Sequence, residues 1–210
     1  VVAPRTLQVT AVPQTRAFGA ANPALGVTYQ GFVNGDTAAL LEAAPVVGTA
    51  ANENTAPGSY ALVPAGGRSA NYRFEFSAGT LSIIPAAQTL AFPPLPSQAL
   101  GNAPFSLGAV ASSGLTPLYS IASGPATLVG NLVTVTAAGT VVVRATQPGN
   151  GNFLPATAQE QSFVVSSSIQ IISLTSSSRD GAYRAGQTIQ LDASFSGVVV
   201  VTGVPVLGLN

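Results

Sequence analysis

The stretch Tyr72-Arg73-Phe74-Glu75-Phe76-Ser77-Ala78-Gly79-Thr80-Leu81-Ser82-Ile83-Ile84 carries the clearest structural signal in this 210-residue chain. Aromatic residues take every second position from Tyr72 to Phe76, with Arg73, Glu75 and Ser77 between and after them. A period of two sends alternate side chains to opposite faces, as a half-buried strand requires. Beyond Ala78-Gly79, Thr80–Ile84 continues in β-branched and aliphatic residues, so the stretch predicts a hairpin with its aromatic side chains on the buried face.

The same reading extends outward. Leu7, Val9 and Ala11 alternate with Gln8, Thr10 and Val12. Further strands are expected at Leu132–Thr136, Val141–Thr146, Gln161–Val165, Ile169–Leu174, Thr188–Phe195 and Val198–Val201. The 22 glycines and 16 prolines fall mostly between these runs, where turns need them. One short helix is expected, with Asp36 as N-cap of Thr37–Glu42 and with Leu40 and Leu41 available for the core. Strands spaced every 8–12 residues or so point to antiparallel sandwiches or small barrels rather than to βαβ units.

Composition narrows the chemistry. The chain has no His, Cys, Lys, Met or Trp, and all seven basic residues are arginines. It therefore lacks the ordinary proton shuttle, the imidazole ligand, the thiolate nucleophile and the lysine base. Charged residues are 7 % and the formal net charge is zero, so no basic field attracts nucleic acid. Val198–Val201 is far shorter than the roughly 20 residues that cross a bilayer, so no membrane insertion of this segment is expected. A start at Val1-Val2-Ala3-Pro4 reads as a mature piece or a fragment of something longer.

Strand patterns close at Ile84-Pro85-Ala86-Ala87 and at Ser166-Ser167-Ser168. These joints divide the chain into blocks 1–85, 86–167 and 168–210, with linkers short enough to articulate the blocks stiffly. The last block is too small to bury a sufficient core by itself. It is read as truncated, packed on its neighbour, or completed by strands of another chain, since Val198–Val201 and Pro205–Leu209 would otherwise leave an apolar edge exposed.

The first block resembles the MBG-type bacterial Ig-like modules of long surface proteins. The likeness rests on Phe18-Gly19, Asn22-Pro23, Tyr29-Gln30-Gly31-Phe32-Val33-Asn34-Gly35-Asp36-Thr37, Gly58-Ser59-Tyr60, Asn71-Tyr72-Arg73-Phe74 and Gly79-Thr80-Leu81-Ser82-Ile83. Phe18 departs from it, standing where the family usually has Tyr. The second block is similar to an Ig-like module that commonly follows, through Gln88-Thr89-Leu90-Ala91-Phe92, Tyr119-Ser120-Ile121 and Ala145-Thr146-Gln147-Pro148-Gly149-Asn150. The third is similar to the start of another adhesin repeat, through Asp180-Gly181-Ala182-Tyr183 and Val201-Thr202-Gly203-Val204-Pro205. It has Gln187 where an acidic residue is frequent. The resemblance implies an all-β chain of tandem antiparallel Ig-like β-sandwich modules in an end-to-end array, the third incomplete. It also implies an extracellular or cell-surface bacterial location and a stalk role.

Candidate sites are few. Asn34-Gly35-Asp36 offers half of a calcium site, although a turn with a capping Asp36 accounts for it more simply. Asp180 and Asp192 are the other calcium candidates, but they lack the clustered acids of a calcium loop. Asn150-Gly151-Asn152 reads as a hairpin turn. The seven acids show no paired arrangement of the glycosidase kind, and Glu75 beside Arg73 and Arg68 reads as an ion pair on a sheet. Tyr29, Phe32, Tyr60 and Tyr72 would make a sugar-stacking platform if exposed, but alternation favours core packing. Without Lys, no Lys–Asn isopeptide crosslink can form. No catalytic residue and no cofactor are expected. The expected function is a non-enzymatic stalk or spacer of an adhesin whose partners are the neighbouring modules. The alternatives are a self-assembling filament or sheath subunit, joined to identical subunits through residues 169–210, and then a carbohydrate-binding module.

Overall fold

The computed structural model describes residues 3–167, 170–179, 181–197 and 199. Among these the fold is all-β, with a 3-10 turn at Ala38–Leu40 as its helical element. The chain divides into two compact units. One comprises Val1–Pro93, Gly108–Tyr119 and Arg144–Glu160; the other comprises Pro94–Leu107, Ser120–Val143 and Gln161–Asn210.

The first unit opens with β1 (Arg5–Ala11), β2 (Gln14–Ala17), β3 (Val27–Gln30), β4 (Val46–Gly48), β5 (Gly58–Ala65), β6 (Tyr72–Ser77) and β7 (Gly79–Ile84). They form two sheets, ordered β3-β1-β6 and β2-β7-β5-β4. Pro13 explains why one N-terminal run serves both. The β1 ladder ends where the Val12 N–H donates to the Gly26 carbonyl at 2.9 Å. Proline has no N–H to extend it, and the chain re-enters at Gln14 in the other sheet. Leu7, Val9 and Ala11 are fully buried on one face of β1. Ala11 packs with Ala51, Leu62, Leu81 and Ile83, and Phe18, Leu25, Val47 and Tyr60 close around them. Burial stabilises each of the fully enclosed leucines by about 1.5–3 kcal/mol.

The pairing corrects two expectations. β6 and β7 are not a hairpin: β6 lies parallel to β1, from Arg5↔Tyr72 to Thr10↔Ser77, whereas β7 lies between β2 and β5. Gly79 makes this crossover possible. A Cβ there would sit 2.4 Å from the Ala11 carbonyl oxygen, so no side chain fits where the chain passes β1. The aromatic face is graded rather than uniformly buried, from Tyr72 at 5 % exposed to Phe76 at 43 %. Most pairs are antiparallel as expected, but β1–β6 and β2–β7 run parallel, because the two halves of the split first strand keep one direction.

The expected helix over Thr37–Glu42 shrinks to the 3-10 turn at Ala38–Leu40, with Thr37 at its N-cap position and no side-chain cap. Leu40 is 64 % exposed instead of entering the core. Three residues bury no apolar stripe, so nothing tertiary supports a longer helix.

Beyond Ile84 come β8 (Leu90–Ala91), β9 (Gln98–Ala99), β10 (Phe105–Ser106), β11 (Val110–Ala111), β12 (Leu118–Ser123), β13 (Ala126–Val129), β14 (Leu132–Val135), β15 (Gly139–Thr146), β16 (Gln159–Ser166), β17 (Ile171–Ser176) and β18 (Leu191–Phe195). Sheets β11-β8, β10-β14-β13 and β12-β15-β16-β9 follow, and β16–β9 is again parallel. In the first unit Leu90, Phe92, Ala109, Ala111 and Ala145 are buried; in the second, Leu107, Val133, Val141, Val143, Phe163 and Val165. Phe105 meets Phe163 edge-on, with ring centroids 5.4 Å apart. β17 and β18 pair antiparallel with a register shift between Ile171 and Ser173, and every residue in them is exposed. Ile169, Asp180, Val198, Val200, Val201 and Pro205–Leu209, on which several expectations rested, lie outside the described residues.

Candidate functional site

One densely bonded locality lies where the end of β2 meets the turn after β15. Phe18 and Phe153 pack edge to face, with centroids 5.6 Å apart and an interplanar angle of 84°. Ala86 and Phe153 form a parallel β-bridge. In it the Ala86 N–H donates to the Asn152 carbonyl and the Leu154 N–H to the Ala86 carbonyl, both at 2.9 Å. The turn itself is organised by Asn150, whose Oδ1 accepts the N–H groups of Asn152 at 2.8 Å and Phe153 at 3.0 Å. Gly149 has φ of +76°, and an added Cβ would fall 2.2 Å from the Phe153 carbonyl oxygen. Only glycine fits both the left-handed backbone and that close approach.

Two buried glutamines fasten this turn. Gln88 Nε2 donates to the Leu154 carbonyl at 2.7 Å, and its Oε1 accepts from Ser113 Oγ at 2.5 Å. Gln147 Nε2 donates to the Thr116 carbonyl at 2.8 Å, and its Oε1 accepts the Gly149 N–H at 2.5 Å. Buried amides left without partners are costly, so these bonds define one geometry for the turn. The sequence showed the turn at Asn150-Gly151-Asn152 but not the contact of Phe153 with Phe18. Nothing local marks two aromatic residues so far apart as neighbours.

Behind Phe18, Arg16 is 6 % exposed, a cation inside the fold. Its Nε donates to Asn22 Oδ1 at 2.7 Å, Nη1 to the Ala17 carbonyl at 3.1 Å, and Nη2 to the Asn52 carbonyl. Asn22 Nδ2 in turn donates to the Ala51 carbonyl at 2.7 Å. A guanidinium has five N–H donors in a planar fork, which suits it to gather carbonyls from separate segments. Sequence reasoning did not single out Arg16. Its position on the inward phase of a four-residue strand became visible only once β2 was placed against β7.

A second locality surrounds Asp36. Val33–Asp36 forms a turn in which the Asp36 N–H donates to the Val33 carbonyl at 2.9 Å. Asn34 and Gly35 have φ of +54° and +79°. Asn tolerates the left-handed region better than other residues with a side chain. Instead of capping a helix, the Asp36 carboxylate accepts the Tyr72 hydroxyl at 2.7 Å, and that hydroxyl accepts the Val33 N–H at 3.2 Å. The bond to Asp36 is the main cause that raises the Tyr72 phenol above its ordinary pKa, with the Val33 N–H and Arg5 opposing it. Phe32 lies edge-on to Tyr72 at 5.2 Å, and Tyr29 lies 5.5 Å from Phe32. Arg5, Asn34, Asp36, Asn71 and Tyr72 line a cleft of about 480 Å³.

The remaining candidates stay apart. Asp192 is exposed on β18 opposite Thr175, and Asp180 lies outside the described residues. Tyr60 does not join the aromatic cluster: its ring packs on the core around Leu62, and its hydroxyl donates to the Ala56 carbonyl at 2.8 Å. Glu75 pairs with Arg73 at 3.6 Å and accepts from Gln8 Nε2 at 2.5 Å. Arg68, expected beside Glu75, pairs instead with Glu42 at 2.7 Å. The bridge Ala43↔Arg68 brings those two segments together. Among the described residues, no three Asp or Glu side chains converge as a metal site, and no helix is long and apolar enough to cross a membrane.

Residues 7–82 match the family model of the MBG domain, YGX type. The resemblance read from the first block is thereby shown for that segment. No curated protein matches the chain. Among solved structures, the chain is similar to Drosophila N-cadherin EC1-3, with a TM-score of 0.31 and 10% identity over 79% of this chain and 68% of that one. It is similar also to Drosophila N-cadherin EC1-4, with a TM-score of 0.31 and 9% identity over 79% of this chain and 51% of that one.

Proposed function

We propose that this chain is a non-enzymatic spacer segment of a bacterial extracellular or surface adhesin, built from modules at 1–85, 86–167 and 168–210. The fastened contact between Phe18 in the first block and Phe153 in the second carries this reading. A flexible linker would need no edge-to-face aromatic pair, no β-bridge and no buried amides to hold the turn. The MBG-type match over residues 7–82 supports the same role. A joint of this kind transmits force and orientation from one module to the next while leaving recognition to other parts of the parent protein.

The absence of Cys makes the test direct, since paired spin labels can be introduced at Thr80→Cys in the first block and Val110→Cys in the second, both exposed and both in the first unit, without competing thiols. A narrow distance distribution that broadens on Phe153→Ala is the expected result. A distribution equally broad in both proteins would refute the stiff spacer.

The filament reading has one specific observation in its favour. Ile171, Ile172, Leu174, Leu191 and Phe195 are all exposed on β17 and β18, an apolar surface of the sort that pairs with another copy. Light scattering and electron microscopy of the purified chain separate the two readings: regular polymers support the filament, and a monomer supports the spacer.

A further inference from the structure

We propose that the Asp36 cleft binds a neutral, hydroxyl-rich ligand, a hexose unit of a glycan, in addition to any spacer role of the chain. The cleft volume of about 480 Å³ falls within the range of roughly 300–1,000 Å³ typical of small-ligand sites. Its chemistry selects the ligand class. One guanidinium, Arg5, and one carboxylate, Asp36, line it together with the amides of Asn34 and Asn71. A divalent cation would find a single carboxylate and a repelling arginine where such ions need several oxygen ligands. An anion would meet Arg5 but also the negative Asp36. A polyol suits all four groups, because each hydroxyl both donates and accepts: the carboxylate accepts, the guanidinium donates and the amides do either.

The site is also pre-organised. Tyr72, only 5 % exposed, fixes Asp36 Oδ2 through its hydroxyl, which leaves the carboxylate aimed by a buried ring rather than free to rotate. Phe32 and Tyr29 pack behind that ring. Asn34 is kept in a left-handed conformation, uncommon for a residue with a side chain, at the rim of the same cleft. This arrangement differs from a stacking platform, since Tyr72 contributes its hydroxyl and not an exposed face.

Titration of the full chain with glucose, galactose or mannose, followed by amide NMR shifts, tests the assignment. At least one hexose should produce saturable shifts centred on Arg5, Asn34, Asp36 and Asn71. Asn71→Ala and Arg5→Gln, both at exposed positions, should each weaken that binding about tenfold while the thermal midpoint is unchanged. Absence of saturable shifts with every neutral hexose would overturn the proposal, as would binding that survives both substitutions. Saturable binding of galacturonate or Ca²⁺ in preference to the neutral sugars would overturn it as well. None of these outcomes depends on whether the chain is a spacer.

Discussion

Phe18 and Phe153 meet edge to face with ring centroids 5.6 Å apart, although 134 positions separate them in a chain where neither is flanked by other aromatics. The pair ties the end of β2 to a turn that Asn150, Gln88 and Gln147 make rigid. Its energetic weight is measurable by a double-mutant cycle on Phe18→Ala and Phe153→Ala in urea. A coupling of about 0.5–1.5 kcal/mol is expected, the range of geometrically favourable aromatic pairs. Strict additivity would show that the rings merely adjoin.

Gly79 tests the crossover between sheets. Gly79→Ala places a methyl 2.4 Å from the Ala11 carbonyl oxygen, which is backbone and cannot rotate aside. The expected loss is about 1–3 kcal/mol or more, read from the urea midpoint. Gly19→Ala is the control, because its Cβ meets nothing within 4 Å and only the positive φ of +78° opposes it. It should cost about 1–2 kcal/mol, from backbone strain alone.

Arg16 should prove more sensitive than any exposed arginine. Arg16→Ala removes a buried side chain and leaves the half-buried Ala17 carbonyl and Asn22 Oδ1, and the Asn52 carbonyl, without its donors. Water reaches the exposed Asn52 segment, so a loss of about 1–3 kcal/mol, that of one polar network broken, is expected from denaturation of this variant. Arg68→Gln removes an exposed ion pair with Glu42 and should cost less than about 1 kcal/mol. Equal effects would contradict the structural role of Arg16.

Tyr72 and Tyr29 make stability depend on alkaline pH. The phenol of Tyr72 is raised chiefly by its bond to Asp36, and that of Tyr29 by burial. The folded chain therefore binds these protons more tightly than the unfolded chain, whose tyrosines titrate near about 10. The stabilisation is complete below about pH 10 and is lost as pH rises through the higher folded-state values. Urea midpoints measured from neutral to strongly alkaline pH should fall in that window. Tyr72→Phe should lower the midpoint at neutral pH and flatten its alkaline decline; an unchanged decline would remove Tyr72 as a cause.

Much of this architecture is legible residue by residue. The alternation of Leu7, Val9 and Ala11 identifies a one-sided strand, and all three are fully buried. The residues matched as MBG-type lie where the two sheets of the first block form. A turn at Asn150-Gly151-Asn152 is visible too, because an Asn side chain bonds its own backbone neighbours, but it lies within the long connection from β15 to β16 and not in the expected hairpin. The hairpin expected at Ala78-Gly79 fails for a physical reason. A small residue pair between two strands permits a tight turn and a passage between sheets alike, and only the closeness of Ala11 distinguishes them. Asp36 misleads similarly: its local role as a cap competes with a distant phenol, and Tyr72 wins because a buried hydroxyl needs a partner.

The sequence by itself determines that this chain is built of strands, which face of β1 is apolar, and which reactive groups it lacks. Those properties follow from side-chain period, backbone preference and composition, each of which acts within a few residues. Tertiary structure alone decides that β6 joins β1 while β7 joins β5. It alone decides that Arg16 is buried, that Phe18 finds Phe153, and that Asp36 and Tyr72 frame a cleft. These depend on which surfaces exclude water together and which buried polar groups find partners, and both conditions exist only after the chain has folded.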